Sequence, residues 1–268
     1  ELSPTTDTNR VKSLMNLLDC LFDDYSWVEG MPERQTLIYI KCCFLFATIW
    51  SLCATTNEEA RLELDLIFQE LLKGKLSPEI YKMCRLTEGK THDTTLELDN
   101  LFPAEGHIFD YQYIKEGDGD VPGRWVEWKE EVSKAPAISK EAQVNQIIVS
   151  TVDTIRYTVL MSLLVNHGKP ALFVGPTGTG KSIYITDFLL NGIDNNIYKP
   201  LFINFSAQTS AGQTQNIIMG KLDKRRKGVY GPPLGQRMVR LFQFLLLLFL
   251  FFVGYRLSQN CVQALNNN

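Results

Sequence analysis

The spacing of apolar residues changes along the chain, and each change marks a different kind of element. Val11, Leu14, Leu17, Leu18 and Leu21 recur every three to four positions, which predicts an amphipathic helix. Leu37 to Leu52 is almost continuously apolar and aromatic, as expected of a buried helix rather than a surface one. Asn57 offers an N-cap before Glu58-Glu59-Ala60-Arg61, with acidic residues in the first turn. Leu62, Leu66, Phe68, Leu71 and Leu72 are expected to form that helix's buried side, and Gly74 to close it. Residues 1–85 therefore read as a helical lid or bundle, with no strand between its helices.

From 86 to 135 the texture is that of a small connector with short strands. Phe102-Pro-Ala-Glu-Gly106 and Gly117-Asp-Gly-Asp-Val-Pro-Gly123 are turn-forming clusters, and Ile108 to Ile114 between them predicts a strand. Trp125 and Trp128 lie just beyond; packing inside the connector is the expected role of both.

Residues 136–239 alternate helix and strand. Thr151 and Asp153 can cap a helix from Thr154 to His167 that stops at Gly168. A strand over 171–174, a helix over 181–190, a second strand over 201–205 and a helix over about 211–224 follow, and Lys224-Arg-Arg-Lys227 reads as a turn. This order predicts an α/β fold, a parallel sheet with helices on both faces and a ligand at its carboxyl edge.

The junction of the 171–174 strand and the 181–190 helix carries the chemistry. Gly175-Pro176-Thr177-Gly178-Thr179-Gly180-Lys181-Ser182 is the G-x-x-x-x-G-K-S phosphate-binding pattern, placed between a strand and a helix. Glycines let the backbone curl so that successive amides point at phosphates. Lys181 is expected to reach the β and γ phosphates and Ser182 to sit on Mg²⁺. The pattern implies a nucleoside triphosphate site holding ATP or ADP.

Composition sharpens the far end of the chain. All 30 acidic residues lie at or before Asp223, whereas seven of the 27 Lys and Arg lie after it. Residues 240–268 form an apolar tail whose run from Leu241 to Val253, about 13 residues, falls short of the ~20 that a spanning helix needs. A membrane span is therefore not expected, with a short anchor between Arg240 and Arg256 as the alternative. Lys224 to Lys227 suits a solvated turn, and no nucleic-acid partner is expected. Six cysteines show no metal-binding spacing and read as reduced, buried thiols of a cytoplasmic protein. The chain opens on Glu1 rather than Met, which suggests a piece of something longer.

Several long strings together resemble an axonemal (ciliary) dynein heavy chain. They are Ser150-Thr-Val-Asp-Thr-Ile-Arg-Tyr157, Phe173 to Ser182, Pro200-Leu-Phe-Ile-Asn-Phe-Ser-Ala-Gln-Thr209, and Lys221 to Pro233. They are similar to the third AAA+ module of the dynein ring. Phe44-Leu-Phe-Ala-Thr-Ile-Trp-Ser51 resembles the lid of the second module, and the stretch around Phe102 to Gly106 the connector between the two. The resemblance spans roughly residues 10 to 239. It implies a P-loop NTPase (AAA+) fold, nucleotide phosphates on Lys181 and the loop amides, magnesium on Ser182, and Thr151 and Val152 along the adenine side. It also implies a microtubule motor of the cilium axoneme, in the cytoplasm and cytoskeleton. The implied partners are other ring modules, dynein intermediate and light chains, and microtubules.

The departure from the family pattern comes after Val239. An apolar strand ending in adjacent acidic residues, the Walker B feature, is expected there, one carboxylate orienting magnesium and the other the attacking water. The chain instead reads Arg240-Leu-Phe-Gln-Phe-Leu-Leu-Leu-Leu and carries no later Asp or Glu. Sensor residues and the arginine finger would lie further on. The expectation is nucleotide binding without efficient hydrolysis and no catalytic residue, with 240–268 as non-family sequence; whether the chain is an enzyme stays open. A non-catalytic interaction module or a tail-anchored protein is the alternative.

Overall fold

Every apolar stripe needs a partner, and in the computed structural model those partners are found within two separate units, Glu1–Ala137 and Ile138–Asn268. The structure describes residues 5–23, 30, 32–72, 77–83, 102–103, 105–115, 123–134, 147–176, 178–206, 208–243 and 247–253. Gly74, the cluster 117–122, Thr177, Cys84, Cys261 and the tail from 254 lie outside them.

The first unit is built on three helices, α1 (Asp7–Phe22), α2 (Glu33–Leu52) and α3 (Glu58–Leu72). Thr6 caps α1 by accepting from the Asn9 amide, and Asn57 Oδ1 accepts from the Ala60 amide at 3.2 Å to start α3. A short helix α4 (Pro78–Met83) follows, then a 3₁₀ turn (Ile108–Asp110), the antiparallel pair β1 (Tyr111–Ile114) and β2 (Arg124–Glu127), and α5 (Trp128–Lys134). Helix α2 is the core, burying Tyr39, Cys42, Cys43, Phe46, Ala47, Ile49 and Trp50. It is long and apolar enough to cross a membrane, yet half of its most apolar stretch is buried inside the unit. Tyr39 ties it to α1 through its hydroxyl, which donates to the Leu21 carbonyl at 2.8 Å.

Both tryptophans of the connector pack rather than face a ligand. Trp128 is fully buried edge-on to Trp50, with centroids 6.0 Å apart, and Trp125 meets the rings of Phe102 and Tyr113. The described cysteines, Cys20, Cys42, Cys43 and Cys53, are buried thiols outside any disulfide. Burial pushes the Cys43 thiol up to about 12 and the Cys42 thiol to about 11.

Helix α3 is rotated from its expected pose. Leu62 and Leu66 are 56% and 62% exposed and Leu71 is exposed too, while Asp65 and Leu72 are buried. The inward stripe is Arg61, Asp65, Phe68 and Leu72, still at helical spacing but with a carboxylate at its centre. Asp65 turns inward because three donors meet it there: the Ile108 amide, His107 Nδ1 and Gln69 Nε2.

The second unit is a mixed sheet with helices on both faces, which makes it an α/β fold. Its elements are α6 (Val152–Asn166), β3 (Ala171–Val174), α7 (Lys181–Asp187) continuing into a π turn (Phe188–Gly192), β4 (Tyr198–Asn204), α8 (Ala211–Met219), β5 (Asp223–Arg226), β6 (Val229–Gly231), β7 (Arg237–Gln243) and β8 (Leu247–Val253). Helix α6 stops as Gly168 predicts: the Gly168 amide donates to Val165 O at 3.0 Å and the Lys169 amide to Leu164 O at 2.9 Å, a Schellman ending.

Strand order is β3-β8-β7-β4. The pair β4 and β7 is parallel, as expected, but β8 lies antiparallel between β3 and β7, so the sheet is not purely parallel. The described part of the apolar run thus supplies the end of β7 and all of β8. On one face Met161 and Val165 of α6 pack with Ile185, Phe188 and Leu189 over Val239 and Leu241; on the other, Leu201, Ile203 and Met238 pack with Leu222, Ile218 and Tyr230. Lys224 to Arg226 form a strand of the small hairpin β5–β6 instead of a turn, and all of β5 is exposed.

Candidate phosphate-binding site

β3 ends at Val174, and the chain leaves the carboxyl edge of the sheet through Gly175 and Pro176 before entering α7 at Lys181. The curl depends on backbone that glycine adopts freely: Gly178 has φ +86° and Gly180 φ +77°. A Cβ on Gly180 would stand 2.8 Å from Cε2 of Tyr184, so that ring already occupies the space a side chain would take. The Gly180 carbonyl accepts from the amides of Ile183 and Tyr184 at 3.0 and 3.1 Å, which launches α7.

Lys181 folds back across the loop. Its Nζ donates to Gly175 O at 2.9 Å, to Thr179 Oγ1 at 2.9 Å and to Pro176 O. Thr179 Oγ1 in turn donates to Pro176 O at 3.0 Å. An ammonium carries three protons, so each is directed at a group of the loop itself. The lysine stem passes Gly175, where a Cβ would sit 3.5 Å from its Cδ. Ser182 follows on the helix, half-buried. Gly175, Pro176, Gly178, Thr179, Gly180, Lys181 and Ser182 are therefore gathered at one strand-to-helix junction; Thr177 falls outside the described residues.

Thr151 and Val152 stand at the start of α6. The Thr151 hydroxyl accepts from the Thr154 amide at 3.2 Å and lies 2.7 Å from Thr154 Oγ1, so it serves the helix cap. The α6 residues that share a core with α7 begin at Met161. That is nine residues, about 14 Å, along the axis from Val152. No described hydrogen bond links Thr151 or Val152 to the loop.

The carboxylates nearest in sequence do surface work. Exposed Asp187 accepts from Asn191 Nδ2 at 2.8 Å, exposed Asp194 from the Asn196 amide at 2.8 Å, and Asp223 begins the exposed β5. Strand β7, parallel to β4, contains no Asp or Glu and ends at Gln243. Gln243 pairs with Leu248 and Val174 with Leu247, so the ends of β7 and β3 stand level at one edge with β8 between them. That separation is about 10 Å. Sequence reading did not anticipate Tyr184 as the wall behind Gly180, since helical spacing alone does not say which neighbour a glycine faces.

A family model described as the dynein heavy chain AAA lid domain matches residues 1–130, and one described as the P-loop containing dynein motor region matches 136–242. Among curated proteins, dynein axonemal heavy chain 3 of Mus musculus is 38% identical over 236 residues, 85% of this chain and 5% of the relative. Dynein axonemal heavy chain 12 of Homo sapiens is 40% identical over 238 residues, 87% of this chain and 7% of the relative. Dynein axonemal heavy chain 1 of Homo sapiens is 35% identical over 257 residues, covering 89% and 6%. The chain thus spans less than a tenth of the length of the curated relatives it matches.

Proposed function

Because the chain belongs to the dynein heavy chain family, with axonemal members as its relatives, we propose that it is a nucleotide-holding segment of a microtubule motor of cilia. Its first unit is the lid of the second AAA+ module with the following connector, and its second unit the first half of the third module. ATP or ADP is held by its phosphates in the loop from Gly175 to Ser182, with Thr151 and Val152 along the adenine side. The observation that carries the reading is Lys181, folded over a glycine loop at the junction of β3 and α7.

The residues fit such a ligand. The loop is stripped of side chains where backbone must approach, at Gly178 and Gly180, and its one cation has its protons aimed inward. Phosphate oxygens would take the places of Gly175 O, Pro176 O and Thr179 Oγ1 as acceptors for Lys181, and Ser182 Oγ would ligate magnesium. Bound Mg²⁺ supplies charge neutralisation and orientation of the terminal phosphate. No residue after Asp223 is acidic, and β7 ends in a neutral amide, so these residues offer no carboxylate to polarise an attacking water. The segment therefore holds nucleotide without efficient turnover. Ring modules, intermediate and light chains and microtubules are engaged through the longer parent protein at the axoneme.

The test is titration of a fluorescent ATP analogue with Mg²⁺ into the chain and its Lys181→Ala variant, alongside phosphate release. Saturable binding weakened at least about tenfold in the variant, a loss of about 1.4 kcal/mol or more, with equal and negligible phosphate release, is expected. Absence of saturable binding sinks the nucleotide reading, and turnover above the variant sinks the non-catalytic one. A second reading, a module that associates with other ring segments, is favoured by the exposed Leu172 and Val174 on β3.

A further inference from the structure

The helical unit holds one polar cluster that the phosphate site does not use. The Asp65 side chain is 5% exposed, and both of its oxygens reach from α3 to the turn before β1. Oδ1 accepts from the Ile108 amide at 2.7 Å; Oδ2 lies 2.9 Å from His107 Nδ1 and accepts from Gln69 Nε2 at 2.9 Å. Asp110 sets the turn, its Oδ2 accepting from the His107 amide at 3.0 Å while its own amide donates to His107 O at 2.9 Å. The His107 side chain is 55% exposed, so protons reach the ring from water. We infer that Asp65 and His107 form a proton-operated clasp fastening α3 to the turn that feeds β1.

A buried carboxylate needs donors, and two of the three here are permanent. The third changes character: Nδ1 of His107 donates in one neutral tautomer, and in the imidazolium it donates and brings a positive charge. The charged groups facing the ring are Asp65 from α3 and Asp110 from the turn; Arg61, one turn earlier on α3, places its guanidinium 5.1 Å from the Phe109 ring centroid instead. The hydrogen bond to Asp65 chiefly holds His107 above its ordinary value of 6.5, the charges of Asp65 and Asp110 add to this, and burial opposes it. A histidine that binds its proton more tightly when folded adds stability that is full below about pH 6.5 and is lost as pH rises through the folded value. As pH rises through the folded value of His107, which lies above 6.5, the clasp therefore passes from an ion pair to a neutral hydrogen bond, and the junction of α3 with β1 loosens.

The experiment is a histidine NMR titration of the full chain, read together with amide exchange at Ile108 from about pH 6 to above the His107 midpoint that the titration itself locates, after correction for intrinsic rates. Of the resonances of the chain's histidines, His92, His107 and His167, the one missing in His107→Gln should titrate above 6.5 and return toward 6.5 in Asp65→Asn. Exchange at Ile108 should quicken several-fold across that range and become flat in His107→Gln. Where Asp65→Asn does not fold, His107→Gln alone decides through the exchange profile. A His107 resonance at or below 6.5, or the same pH dependence at Ile108 without the imidazole, overturns the clasp.

Discussion

Replacing three glycines by alanine, one at a time, separates what the phosphate loop demands of its backbone from what it demands of its space. Gly212, in the first turn of α8, has ordinary φ and nothing within 4 Å of an added Cβ, so alanine there should gain up to about 1 kcal/mol from helix propensity. Gly178 has open space but φ +86°. Left-handed backbone costs a non-glycine residue about 1–2 kcal/mol, partly offset by the ~0.4–1 kcal/mol that alanine removes from the unfolded chain's freedom. Gly180 adds a contact at 2.8 Å with Tyr184 to the same φ penalty. Displacing that ring brings an overpacking cost of about 1–3 kcal/mol. At about 2–4 °C per kcal/mol for a chain of this size, melting by circular dichroism should rise slightly for Gly212→Ala, fall by about 0–6 °C for Gly178→Ala and by about 2–18 °C, always further than Gly178→Ala, for Gly180→Ala. Binding of the fluorescent nucleotide should weaken in the same order. Equal melting of Gly178→Ala and Gly180→Ala would show that Tyr184 does not close the space behind the loop. A stable Gly180→Ala that binds nucleotide normally would refute the loop geometry altogether.

Other perturbations report on other parts of the molecule. Leu189, fully buried between α6 and the sheet, should cost about 2–5 kcal/mol on truncation to alanine, read as a lower urea midpoint at unchanged slope. An unchanged midpoint would mean the α6–α7 face is not packed as described. Cys43, with its thiol pushed up to about 12, should resist alkylation in the folded chain at about pH 8 and react on unfolding. Because unfolded thiols ionise near 9 while Cys42 and Cys43 remain protonated in the fold, stability should decline above about pH 9, and a Cys42→Ala/Cys43→Ala double variant should show a weaker decline. Leu172→Asp, on the exposed side of β3, should leave melting nearly unchanged and raise solubility; precipitation or unfolding would place that side chain in a core.

Features with local causes were legible in the sequence. The caps at Asn57 and Thr151, the stop at Gly168 and the curl from Gly175 to Lys181 each depend on residues within a few positions of one another. The orientation of α3 was not legible, because the stripe Leu62–Leu66 and the stripe Arg61–Asp65–Phe68–Leu72 both repeat at helical spacing. What selects the second is His107 and Ile108, which stand 42 and 43 residues from Asp65 along the chain. That the apolar tail supplies β8 was equally hidden, as was its direction, since such a run reads the same in a parallel or an antiparallel strand. Lys224 to Arg226 failed as a turn for the opposite reason: the turn is Lys227-Gly228, and the three charges before it occupy one arm of the ribbon.

The inward fold of Lys181 also determines where binding energy would come from. A phosphate entering the loop would not find idle protons; it would displace acceptors that Lys181 already has, bond for bond, in Gly175, Pro176 and Thr179. Such an exchange is close to neutral in hydrogen-bond count, so the net gain lies in trading neutral oxygens for charged ones. Selectivity between mono-, di- and triphosphate then follows the density of negative charge delivered to one ammonium, and affinity should slacken as added salt screens it. For a phosphate ligand the loop would act as an ion exchanger already loaded with its own chain.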